Sequence, residues 1–225
     1  MWYRRRGRIF ADRREAGRAL GARLAATYAG RDLLVLGLPR GGVPVAYEVA
    51  AALRAPLDVF VVRKLGAPFN PEFAIGAVAT GGVTVLHRDA LAMLSLEEAD
   101  VAPTVARERA EVERRERRYR SGRAPIELEG KTAVLVDDGI ATGATMEAAV
   151  RAARALSPAA VVVAAPTAAA DSVEALRRVA DDVVVLSTPE PYVAVGAWYE
   201  RFPQLSDEEV VELLTAADAL RREGG

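Results

Sequence analysis

The apolar positions of this chain alternate between two rhythms. Over residues 12–28 they recur at helical spacing, with Ala16, Leu20, Leu24 and Tyr28 on one face. Asp12 stands at the N-cap position and Gly30 just past the end, so the pattern predicts a helix. Residues 33–38 form an unbroken apolar run, which predicts a buried strand. The loop Pro39, Arg40, Gly41, Gly42 follows, then a helix over about 43–53. The β-branched and aromatic run DVFVVR, 58–63, predicts a second strand. Residues 74–79 and 83–87 flank Thr80, Gly81 and Gly82, which predicts a hairpin.

Residues 95–120 are polar and predicted helical, with Ser95 and Glu98 as a capping box and Pro103 kinking or splitting the helix. The stretch RERAEVERRERRYR within it pairs opposite charges at i,i+4, as on a solvated face. Beyond it the rhythms alternate regularly: strand 132–136, helix 143–156, strand 159–165, helix 171–179, strand 182–186. Such alternation builds a mostly parallel sheet covered by helices on both faces, an α/β fold. After Leu186 the pattern breaks into Pro189, Pro191, Trp198, Tyr199 and Phe202, and a last helix over 207–220 is capped by Ser206.

Composition narrows the chemistry. The 225 residues suffice for one domain with a substantial core. No stretch of about 18 uncharged apolar residues exists, so no membrane span is expected. The charged start MWYRRRGRIF lacks an apolar core and does not read as a signal peptide. With no cysteine, disulfides, thiolate zinc and thiol nucleophiles are excluded, which fits a cytoplasmic setting. The lone His87 cannot build a histidine metal cluster. Residues 1–123 carry 22 Lys and Arg against 14 Asp and Glu; residues 124–225 carry 8 against 17. A basic half can attract a polyphosphate and an acidic half can bring a metal, although one Arg-rich helix and an acidic tail produce most of the asymmetry. The net charge of −1 argues against general nucleic-acid binding.

The densest chemistry lies at 135–145, LVDDGIATGAT. A strand runs into Asp137 and Asp138, then into the small-residue loop Ala141, Thr142, Gly143, Ala144, Thr145, which opens a helix. The acidic pair can hold a metal or ribose hydroxyls, and the loop amides with the helix dipole can hold a phosphate. In an open α/β sheet, ligands sit beyond the carboxyl ends of strands, where Asp137, Arg40 and Lys64 are all expected.

This run resembles the PRPP-binding motif of type I phosphoribosyltransferases: an apolar strand, two acidic residues, then a TG-x-T loop. The resemblance covers about 32–187. It implies that fold, with a helical insertion over about 89–122 and a small C-terminal hood and helix over about 188–221, all in a single domain 1–225. It implies Mg²⁺-dependent transfer of a phosphoribosyl group from PRPP to a nitrogenous base, with release of pyrophosphate. By the resemblance, Ala141, Thr142, Gly143, Ala144 and Thr145 hold the 5-phosphate. Asp137 and Asp138 are the catalytic pair and meet the ribose hydroxyls, directly or through Mg²⁺. Arg40, Gly41 and Gly42 match the pyrophosphate loop, in which some members hold a non-proline cis peptide, expected here at Arg40 or its neighbour. Lys64 either reaches the pyrophosphate or is a solvated strand end. In the hood, Val195 presents backbone groups to a base, and Trp198 either stacks on it or anchors the tail. Arg107, Arg109 and Arg118 are candidates for a closing role. Ala141 stands where 6-oxopurine enzymes carry an aspartate, which disfavours hypoxanthine and guanine. A homodimer is common in the family. Two other readings stay open: a sensor on the same fold that binds PRPP without turnover, and an unrelated α/β phosphate binder. The absence of G-x-G-x-x-G after a strand and of G-x-x-x-x-G-K-[ST] weakens the usual versions of the latter.

Overall fold

The structure is a computed structural model that describes residues 9–120 and 122–223. The stretch 1–8, used in the sequence reading, lies outside them. The first helix, α1 (Arg13–Tyr28), is capped as its sequence requires: the Asp12 carboxylate accepts from the Glu15 amide. It is followed by β1 (Leu33–Gly37), α2 (Gly42–Leu53) and the short β2 (Leu57–Val59). The later units are β6 (Thr132–Val136), α5 (Ala144–Arg154), β7 (Ala160–Thr167), α6 (Ala170–Leu176) and β8 (Asp182–Ser187).

These strands form one parallel sheet in the order β2-β1-β6-β7-β8. Every residue of β6 is buried, because helices cover both faces. Val134 and Val136 face α1, α2 and α7 (Asp207–Glu223). Ala133 and Leu135 face α5 and α6. The final helix opens with a capping box between Ser206 and Glu209.

The sequence-predicted strand 58–63 is two strands in two sheets. β2 ends at Val59, and the Phe60 amide makes a last bond to the Gly37 carbonyl. The chain then turns, with Val61 held by the Thr80 side chain and backbone. It continues as β3 (Val62–Ala67) of an antiparallel sheet with β4 (Asn70–Ala79) and β5 (Val83–Leu86). A β-branched run suits either sheet, so composition could not mark the crossing. The β4–β5 hairpin is present with Thr80–Gly82 as its turn.

The polar insertion also differs in detail. A short α3 (Arg88–Met93) precedes α4 (Glu98–Tyr119). Ser95 is not a cap: it sits at φ 53°, and the capping box is formed by Glu97 and Asp100. Pro103 does not split α4 in two, since the bond it forgoes would go to Ala99, only the second helical residue. Helix α4 buries Val101, Val112 and Tyr119 against the antiparallel sheet, whose other side rests on α5.

Beyond α4, Arg120 grips the buried Asp58 with two parallel bonds, Nε to Oδ1 at 2.9 Å and Nη2 to Oδ2 at 3.0 Å. Arg123 stands 3.7 Å from the same carboxylate. Arg120→Met leaves that charge poorly compensated and should lower unfolding free energy by about 3 kcal/mol in urea titration. Pairing it with Asp58→Asn should restore most of the loss.

Candidate active site at the strand ends

Strand β6 delivers Asp137 and Asp138 to the carboxyl edge of the sheet, beside the turn that leaves β1. The two carboxylates differ in their surroundings. Asp138 is 8 % exposed, and its Oδ2 accepts from Arg13 Nε at 2.7 Å. Its carbonyl accepts from the Tyr199 hydroxyl at 2.5 Å. Asp137 Oδ1 accepts the Asp138 amide at 2.9 Å. Burial, and then the neighbouring Asp138 charge, push the Asp137 carboxyl well above the usual carboxylate range. Burial raises Asp138 as well, with Arg13 pulling against it.

The loop after β1 presses directly on this pair. A Cβ at Gly41 would overlap the Asp138 carboxylate, and one at Gly42 would lie 2.5 Å from the Val136 carbonyl and 2.8 Å from the Asp137 Cα. Only glycine permits that approach. The Pro39–Arg40 peptide is cis, at the place expected. The half-exposed Arg40 guanidinium stands 3.8 Å from Asp207 at the start of α7.

On the other side of the pair lies the small-residue loop. Ile140 is pinned to β7 by its amide, which donates to the Thr167 carbonyl, and by its carbonyl, which accepts from the Ala169 amide. The Ser172 hydroxyl holds the Ala141 carbonyl at 2.6 Å. Gly143, at φ 75°, caps α5 without any side-chain bond to the helix. The first-turn amides of α5 therefore lack a capping acceptor, and Ala141, Thr142, Ala144 and Thr145 are exposed. That is the geometry of an anion cradle at a helix N-terminus.

Arg40, Gly41, Asp138 and Val195 line one cavity of about 460 Å³, together with Arg13 and the segment Phe202 to Leu205. Two sequence-predicted residues sit elsewhere. Lys64 does not end a strand of the parallel sheet; it lies inside β3, opposite Ala77. Trp198 is 7 % exposed and packs with Phe10, Ala16 and Tyr199, so of its two readings the structure gives it the anchoring one. The hood residues nearest Gly139 are Val195, as expected, and Tyr192, with Thr167 at the end of β7 beside them. A Cβ on Gly139 would overlap Val195 and lie 2.9 Å from the Tyr192 hydroxyl and 3.1 Å from Thr167 Oγ1.

Sequence reasoning missed Arg13, Tyr199 and Asp207. Arg13 had a signal: it falls in register with the apolar face 16, 20, 24 of α1, where a charge is out of place. Tyr199 and Asp207 had none, since only the folded chain brings them to the site. As to a metal, no group of three or more potential metal-binding His, Cys, Asp or Glu occurs among the described residues. One partly buried carboxylate with no cation of its own suits Mg²⁺, which is commonly held by one or two carboxylates while substrate oxygens and water complete its shell.

Two glycine-containing loops flank an acidic pair at adjacent strand ends of a parallel α/β sheet. The chain belongs to the phosphoribosyl transferase domain family, whose family model matches residues 11–199. It is 50% identical over 210 residues to the "Putative phosphoribosyl transferase MT0597" of Mycobacterium tuberculosis (strain CDC 1551 / Oshkosh), covering 93% of this chain and 47% of that protein. The chain thus spans about half the length of the curated relatives it matches. It is also similar to the crystal structure of TT1426 from Thermus thermophilus. That likeness has a TM-score of 0.85 and 47% identity, over 92% of this chain and 98% of the other.

The raised Asp137 carboxyl fixes a sign. Its ionised form is disfavoured in the folded state, so wild type is penalised at neutral pH and relieved as pH falls through the raised value toward the ordinary 3.8. Asp137→Asn should therefore melt higher than wild type near pH 7, with the gain shrinking toward pH 3.8. Thermal melts across that range check it.

Proposed function

We propose that this domain binds PRPP with Mg²⁺ and transfers its phosphoribosyl group to a nitrogenous base, releasing pyrophosphate. The observation that carries the reading is the pressing of the Gly41–Gly42 loop onto the acidic pair, three residues from a second, uncapped anion cradle. PRPP carries a phosphate at one end, a diphosphate at the other and vicinal hydroxyls between, and the three features follow that order.

In this reading the amides of 141–145, with the Thr142 and Thr145 hydroxyls, hold the 5-phosphate. Asp137 meets the ribose hydroxyls. The amides at Gly41 and Gly42 and the Arg40 fork hold the diphosphate. Val195, with Tyr192 and Thr167, borders the space left for the base. Asp137 would hold Mg²⁺, which would supply charge neutralisation for a departing diphosphate. The protein's part is to fix the two ends of the substrate so that C1 meets the incoming nitrogen, and to keep water out. Ala141 supplies no carboxylate toward the base, which supports an acceptor other than a 6-oxopurine.

One observation favours a second reading, a PRPP-binding sensor: Arg13 already neutralises Asp138. Calorimetric titration of PRPP, with and without Mg²⁺, followed by pyrophosphate release with a panel of bases, separates the two. Mg²⁺-dependent binding is expected, weakened about 10- to 100-fold by Thr145→Val, the loss of one bond to a charged phosphate. Turnover with any base supports the enzyme, and binding without turnover supports the sensor. A folded wild type that ignores PRPP overturns both.

A further inference from the structure

Arg13 is the most enclosed cation of the site, 8 % exposed on the buried face of α1 beside the fully buried Ala16. Its donors are divided among fixed partners. Nε donates to Asp138 Oδ2 at 2.7 Å and Nη1 to the Pro203 carbonyl at 2.8 Å. The guanidinium carbon lies 3.7 Å from the centre of the Phe202 ring, a cation–π contact. The Gly41 backbone covers the same carboxylate. Asp138 is thus neutralised on one oxygen and roofed over both. Asp137 has nothing equivalent: among the described residues, the ion pair of the acidic pair goes to Asp138 alone.

We propose that Arg13 is a positioning residue that serves as a fixed internal cation. It neutralises Asp138, keeps a divalent ion from settling on the bare acidic pair, and leaves Asp137 to meet a divalent ion that arrives with the diphosphate. The diphosphate part rests on the function proposed above; the charge balance does not. Two adjacent ionised carboxylates repel, and together they would hold a cation without any substrate. With Arg13 in place the fully ionised pair carries a net charge of a single negative unit. A small hard ion that gives up its water reluctantly then needs anionic oxygens from elsewhere to stay. Lysine at position 13 would keep the charge and lose the fork and the ring contact.

The test uses Mn²⁺ as the probe, with free ion followed by electron paramagnetic resonance and no PRPP present. Wild type and Arg13→Lys should bind Mn²⁺ weakly. Arg13→Met should bind at least about tenfold more tightly, because a unit charge a few ångströms away at an effective dielectric of about 20 outweighs one decade. Adding Asp138→Asn to Arg13→Met should erase the gain. A merely structural role for Arg13 would lower stability without creating a metal site, so unchanged Mn²⁺ binding in folded Arg13→Met overturns the proposal. Should that variant not fold, Mn²⁺ binding is read in the presence of inorganic pyrophosphate. Asp137→Asn should then abolish the pyrophosphate-dependent binding and Asp138→Asn should keep it; equal loss in both overturns the proposal. If wild type ignores PRPP while the Mn²⁺ gain appears, the proposed function falls and Arg13's role stands. If PRPP is turned over while Mn²⁺ binding does not respond to Arg13→Met, only the role of Arg13 falls.

Discussion

Two neighbouring carboxylates at the carboxyl edge of a parallel sheet set the terms for this molecule. A buried charge is tolerated only when it is paired and hydrogen-bonded. The sheet brings Asp138 to a place where water has little access, and three remote parts of the chain converge on it. Helix α1 contributes Arg13, the turn after β1 contributes a backbone without side chains, and the segment after β8 contributes the Tyr199 hydroxyl. The aromatic group of Phe10, Trp198 and Tyr199 exists where it does because those contributions must meet.

What could be read from the sequence follows from how local each cause is. The parallel strands, the small-residue turn between β6 and α5 and the caps at Asp12 and Ser206 depend on residues within a few positions of each other, and those were legible. The crossing from β2 to β3 was not, because a run such as DVFVVR satisfies a buried parallel strand and an antiparallel one equally. The start of α4 was misplaced by two residues because Ser95 and Glu97 both offer a capping acceptor, and the left-handed backbone at Ser95 settles between them. The partners of Asp138 and Arg40 were invisible since they lie tens of residues away. Trp198 left two readings open, and packing selected one.

The insertion is more closely tied to the site than its solvated composition suggests. Arg118 pairs with Asp207 and Glu208, and the Tyr119 hydroxyl donates to Asp207 at 2.6 Å. Asp207 is also the residue beside Arg40. One carboxylate at the start of α7 therefore connects the end of α4 with the loop assigned to the diphosphate. The Arg/Glu-rich helix is bound to the site by its last turn, while its middle carries local pairs such as Arg115 with Glu111.

The long reach of the Arg13 contact also bears on how the chain is made. Asp138 follows Arg13 by 125 residues, and the carbonyl of Pro203 follows it by 190. At synthesis rates of about 5–20 residues per second, Arg13 leaves the ribosome on the order of 6–25 s before the carboxylate it neutralises. Helix α1 can form and meet α2 in that interval, but its buried end has no anion to receive it. The nascent chain must hold a cation open on an otherwise apolar helix face until the middle strand arrives. The docking of that helix end belongs among the late events of biogenesis, after the sheet has closed around β6.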